Sequence, residues 1–109
     1  MPNYSRGDVL LVRYPFTDLS GVKVRPAVAI HAPHPSQDGF VVPLTSRLAA
    51  LQPGEFVLAG WEKAGLNVPT AVKRGVYTIH PSLVAKLIGH LSVQDSQSLE
   101  KSLREWLGL

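Results

Sequence analysis

Cysteine is absent from this chain. Disulfides, zinc–thiolate sites and a thiol nucleophile are therefore excluded together. No segment approaches the roughly 20 apolar residues of a membrane-spanning helix, and no N-terminal apolar run suits a signal sequence. The expectation is a soluble, cytoplasmic protein with no membrane partner. Carboxylates are in the minority, 8 against 11 Lys and Arg, for a net charge of +3 and a pI of about 9.5. That balance permits an anionic partner without demanding one. The eight carboxylates and four histidines fall into no metal-ligand spacing such as HExxH, so neither metal nor cofactor is expected.

What the chain does contain is enough apolar residue, 45% of 109 positions, to fold as one domain over residues 1–109 with one core. Asp8 to Tyr14 is rich in Val and Leu and predicts a strand buried on both faces or nearly so, ended by Pro15. A long polar turn from Phe16 to Val24 follows, then a second strand from Arg25 to His31. Phe40 to Leu44 predicts a third, with Pro43 marking an edge or a strand end. Leu48 to Leu51 fits one helical turn, Glu55 to Leu58 a fourth strand, and Thr70 to Ile79 a fifth, bent at Gly75. Pro81 to Leu83 suits a helical turn before a last strand through Ile88 to Leu91. The C-terminus predicts a helix. Ser92 and Asp95 have capping-box spacing, Leu99, Leu103, Trp106 and Leu107 form one stripe, and Ser96, Lys101, Ser102 and Glu105 face elsewhere. Short strands followed by one helix predict a mainly β fold, a small curved sheet or barrel.

Arg25 is the first candidate for chemistry. Pro26 biases it toward extended backbone, and a guanidinium grips phosphate oxygens bidentately at any physiological pH; the plain alternative is a surface arginine. Thr45-Ser46-Arg47 directly follows the third strand. Its hydroxyls either bond nearby backbone or support a developing charge on a phosphate beside Arg25. Lys73 and Arg74, with Lys23, Arg25 and Arg47, suit a groove tracking RNA, or else lie solvated and ion-paired. Trp61, Phe16 and Tyr14 are candidate stacking platforms; Trp106 is expected in the core. His31, His34, His80 and His90 read as structural or solvated rather than catalytic.

These residues carry a family resemblance. Gly7-Asp8 and the Val/Leu strand, Pro15-Phe16-Thr17-Asp18, Ser20-Gly21 and Arg25-Pro26-Ala27 resemble the opening of the MazF/PemK toxins of bacterial type II toxin–antitoxin systems. Val42-Pro43-Leu44-Thr45-Ser46 resembles the family's second motif. Ala71-Val72-Lys73, Tyr77-Thr78-Ile79 and Ile88-Gly89-His90-Leu91-Ser92 resemble its weaker third region. The resemblance implies an SH3-like barrel with a C-terminal helix, usually a homodimer. It implies metal-independent, sequence-specific cleavage of single-stranded RNA by 2′-hydroxyl attack, leaving a 2′,3′-cyclic phosphate. Arg25 would stabilise the phosphorane and pass a proton to the leaving oxygen, Thr45 would orient the phosphate, and Ser46 would assist. The loop from Phe16 to Lys23, including Thr17 and Asp18, would shape the groove.

The same resemblance implies a cognate antitoxin with an acidic, partly hydrophobic segment, and DNA binding only through that antitoxin. One departure stands out. Some members carry an acidic residue where this chain has Lys73-Arg74-Gly75, so no carboxylate is expected there. Two other readings stay open: a gyrase-poison-like toxin on the same fold that cuts nothing, and a non-toxic SH3-like nucleic-acid-binding module.

Overall fold

The computed structural model describes residues 4–14 and 23–109, the side chains of Tyr14 and Lys23 excepted. Among the described residues six strands form an antiparallel sheet: β1 (Asp8–Tyr14), β2 (Lys23–Ala29), β3 (Gly39–Thr45), β4 (Ala71–Val72), β5 (Tyr77–Ile79) and β6 (Val84–His90). Their order is β4-β3-β2-β1-β6, with β5 also pairing with β3. Among the described residues there is one α-helix, α1 (Val93–Leu107), near the C-terminus. The mainly β fold with a C-terminal helix is as expected, and the sheet is open.

Alternation along the strands sends apolar side chains to both faces. Val9, Val28, Val42, Leu44, Leu58 and Val72 cluster on one face, under Leu99 and Leu103 of the helix. Leu10, Val12, Ala27, Ala29, Val41 and Ile79 form a second cluster on the other face, against Tyr4, Leu83 and Val84. β1 is central, between β2 and β6, and Val9, Leu10 and Val12 are fully buried, as its composition predicts.

Pro43 departs from expectation. It lies inside a strand flanked on both sides, not at an edge. Its carbonyl accepts from Lys73 N at 2.9 Å, so the N–H it lacks would have faced the same neighbour. The ladder on that side breaks opposite it. Residues 71–72 pair with 44–45, and residues 77–79 pair with 39–41, leaving a bulge that contains Gly75. The expected fifth strand is thus two short strands with a bend, in keeping with the missing donor.

Other boundaries moved. β2 runs from Lys23 to Ala29 instead of Arg25 to His31, because its first residues pair with Arg13 and Tyr14. Leu48 to Leu51 is no helix; Ala50 takes a left-handed φ of 61° there. In Glu55 to Leu58 only Val57 bridges, to Ala71, although Leu58 N donates to the Thr70 carbonyl and Val72 N to that of Phe56. Pro81–Leu83 is a 3-10 turn capped by His80, and β6 begins at once, at Val84.

Ser92 caps the helix as expected, accepting from Asp95 N at 3.1 Å. Asp95 does not complete a capping box. Its carboxylate is buried and accepts from Ala59 N and Gly60 N at 2.8 and 2.9 Å. Ser102, expected to face elsewhere, is buried and donates to the Gly54 carbonyl at 2.7 Å. Leu107, expected on the buried stripe, is half exposed, while Trp106 packs against the helix-side cluster and its indole N–H reaches the Pro53 carbonyl. The helix is thus tied to the segment from Pro53 to Gly60 by polar side chains as well as by leucines.

Candidate functional site

The strand registers bring the sequence candidates together. β2 and β3 pair through Ala29↔Val41, Val28↔Val42 and Ala27↔Pro43. Two residues further along each strand stand Arg25 and Thr45. Arg25 shares a face with Ala27 and Ala29, and Thr45 with Val41, by strand alternation. Both therefore lie on the face away from the helix, at one end of the sheet. Arg25 pairs across to Val12 in β1, and Thr45 to Ala71 in β4. Lys73, two residues beyond Ala71 and still bonded to β3 through its N–H, continues the same face.

The environment of each group suits an anion. Arg25 is exposed, and it makes no ion pair with a carboxylate among the described residues. Thr45 is half-buried, and its hydroxyl accepts from Arg47 N at 3.1 Å. This is the local backbone bond that Ser and Thr favour after a strand. It fixes the oxygen and leaves the hydroxyl proton for a ligand. Ser46, Arg47, Lys73 and Arg74 are all exposed around this end of the sheet. The backbone of Lys23 starts β2 beside Arg25, paired with Tyr14; Phe16, Thr17 and Asp18 lie outside the described residues.

Sequence reasoning missed Glu55. The region of Lys73 and Arg74 has no carboxylate of its own, as expected, but the turn after Pro53 delivers one. Glu55 accepts from Arg74 N at 2.7 Å and from Gln52 N at 2.6 Å. Burial acts to raise its pKa. The hydrogen bonds from the Arg74 and Gln52 backbones and the charges of Lys73 and Arg74 outweigh burial and hold it below its ordinary value. Both oxygens are engaged and the proton affinity is low, so this group anchors the basic segment and is poorly suited to take a proton. Its only sequence signal is Pro53-Gly54, which turns the chain back toward residues 70–74.

The histidines lie elsewhere. His90 Nδ1 sits 2.8 Å from Asp8 Oδ1, at the end of β1 opposite Val12. His31 contacts Phe40 backbone, His34 bonds Ser36, and His80 caps the 3-10 turn. Trp61, a candidate platform, packs against the helix-side cluster. Among the described residues, no group of three or more His, Asp or Glu is placed to hold a metal ion, and no helix is long and apolar enough to cross a membrane.

Residues 5–107 match the family of PemK-like, MazF-like toxins of type II toxin–antitoxin systems. This chain belongs to that family. Solved structures agree on the fold. The Mycobacterium tuberculosis toxin MazF-mt6 is 21% identical, covers 94% of this chain and 97% of its own, and superposes with a TM-score of 0.72. An endoribonuclease in complex with its cognate antitoxin from a mycobacterial species is 16% identical, with 98% and 97% covered and a TM-score of 0.76. A further mycobacterial endoribonuclease is 17% identical, with 100% and 95% covered and a TM-score of 0.76. No curated protein matches the chain by sequence. As a MazF/PemK toxin, this protein has its Arg-Pro and Pro-Leu-Thr-Ser motifs on adjacent strands, on one face and at one end of the sheet.

Proposed function

We propose that this toxin is a metal-independent endoribonuclease of single-stranded RNA. The observation that supports it most is the sharing of one sheet face and one sheet end by Arg25 and Thr45, within a rim of Arg47, Lys73 and Arg74. In this reading the RNA backbone lies along the basic end. The 2′-oxygen gives up its proton to water and bonds to the adjacent phosphorus, and the bond from phosphorus to the 5′-oxygen breaks. The products are a 2′,3′-cyclic phosphate and a 5′-hydroxyl. Arg25 stabilises the charge on the phosphorane and supplies the leaving oxygen with a proton. The Thr45 hydroxyl, oriented by Arg47 N, donates to a phosphate oxygen, and Ser46 assists. Lys23, Arg47, Lys73 and Arg74 neutralise neighbouring phosphates, and Phe16, Thr17 and Asp18 select bases.

The toxin works in the cytoplasm as a homodimer. Its antitoxin covers the basic end with an acidic segment and alone connects the pair to DNA.

The test is direct. Pure protein is incubated with a long RNA in EDTA, and the new ends are mapped. Defined cuts with cyclic phosphate termini are expected. Arg25→Ala should keep its melting curve and lose about a hundredfold or more in cutting rate, the scale of a lost transition-state donor. Undiminished cutting by Arg25→Ala would remove the site proposed here. A protein that halts growth yet leaves RNA intact would be a non-enzymatic toxin on the same fold, and harmless expression of soluble protein would point to a plain binding module.

A further inference from the structure

Tyr77 has no role in the reading above, yet it is a large aromatic left 43% exposed on the same sheet. It pairs with Val41 in β3, and Val41 belongs to the cluster on the face away from the helix. By alternation Tyr77 therefore projects on the face that carries Arg25 and Thr45. Four residue steps along β3 take Val41 to Thr45, about 13 Å at the usual strand rise. The Lys73 backbone, bonded to Pro43, lies between them.

The ring does not stand free over solvent. A Cβ placed on Gly75 would come within 3.1 Å of Tyr77 Cε2 and 3.5 Å of Cζ and Oη. The ring thus lies against the bulge between β4 and β5, where any side chain larger than glycine's would push it back by a few tenths of an ångström. That contact also shows its direction. The ring leans on Gly75, in the bulge that joins Lys73 to β5. An aromatic that is half exposed, held in place and next to a basic rim is what a stacked nucleobase requires. Held rings lose little conformational freedom on binding, so stacking on them is effective.

We infer that Tyr77 is a base-stacking platform that receives a nucleobase of the RNA strand whose phosphate sits at Arg25 and Thr45. This rests on the endoribonuclease reading and adds a determinant of substrate position to it. The stack needs the ring face and not the phenol oxygen. Stacking accepts any base, so Tyr77 contributes affinity and register along the strand more than base choice.

The experiment uses the full chain and a short single-stranded RNA carrying one mapped cut. The parent is compared with Tyr77→Phe, Tyr77→Leu and Tyr77→Ala, and each flanking nucleotide is replaced in turn by an abasic one. Tyr77→Phe should cut like the parent. Tyr77→Ala and Tyr77→Leu should raise KM about tenfold to a hundredfold, with kcat changed far less. Leu keeps apolar cover over Gly75 without a π face, which separates stacking from packing. At one flanking position the abasic RNA should cost the parent as much as Tyr77→Ala does, and cost the Ala variant nothing further. Penalties that simply add at every position, or a Leu variant equal to the parent, would overturn the assignment. If the parent cuts and Arg25→Ala does not, such a result removes the platform and leaves the catalytic reading standing. A parent that cuts no RNA removes both.

Discussion

Replacing Asp95 by alanine should cost far more than losing a helix cap. A capping-box aspartate would reach back only to Ser92, and such caps are worth about 1 kcal/mol. Instead the carboxylate reaches Ala59 N and Gly60 N, 36 and 35 residues away in sequence, at 2.8 and 2.9 Å, and is only 2% exposed. Hydrogen bonds to a charged group are worth about 1.5–3 kcal/mol each, and an abandoned buried donor adds a desolvation cost. Ala59 is exposed and Gly60 half-buried, so water can reach both N–H groups once the carboxylate is gone, which favours the lower end. The loss is then about 3 kcal/mol, or on the order of 10–20 °C in Tm for a domain of this size. Asp95→Asn keeps the shape and one acceptor but not the charge, and should lose roughly half as much. Ser92→Ala should lose about 1 kcal/mol. Urea unfolding followed by circular dichroism measures all three, with an unchanged m-value showing that the unfolding transition is the same. If Asp95→Ala is no costlier than Ser92→Ala, the tie between helix and loop contributes nothing and the reasoning fails.

Two further outcomes follow from the same geometry. Glu55 has its folded pKa held below its ordinary value, so the unfolded chain binds more protons in the acid range. Its contribution is present above the unfolded pKa and lost as pH falls through the folded one; urea midpoints taken below about pH 4.5 should therefore drop less steeply in Glu55→Gln than in the parent, and equal slopes would show that the carboxylate stabilises nothing. Gly89→Ala should yield little soluble protein or a large fall in Tm, because the new methyl would run into the Ala64 backbone where residues 60–66 cross β6. Gly60→Ala, whose methyl would meet only Ser92 and Asp95 atoms at 3.4–3.6 Å, is the control and should stay within about 1 kcal/mol.

Legibility in the sequence followed the range of the interaction. β1 was readable to the residue because Val and Leu fill both faces of a central strand, and the helix because Ser92 and the stripe from Leu99 to Trp106 act within a turn or two. Arg25 and Thr45 stood out as candidates, since a guanidinium before proline and a hydroxyl after a strand are local features. Glu55, Ser102 and Tyr77 carried no such mark. Each acquires its place from a neighbour many residues away: Arg74 for Glu55, Gly54 for Ser102, Val41 for Tyr77.

The amino-acid order alone determined a mainly β chain ending in a helix, without thiols, with basic residues concentrated near three strand ends, because those properties depend on residue type and short-range period. Only the tertiary structure decided that two of those ends share a face and that the ladder breaks opposite Pro43, setting the Tyr77 ring against Gly75 in the bulge. Strand register is a long-range property, and a one-residue slip would send every one of these side chains to the opposite face.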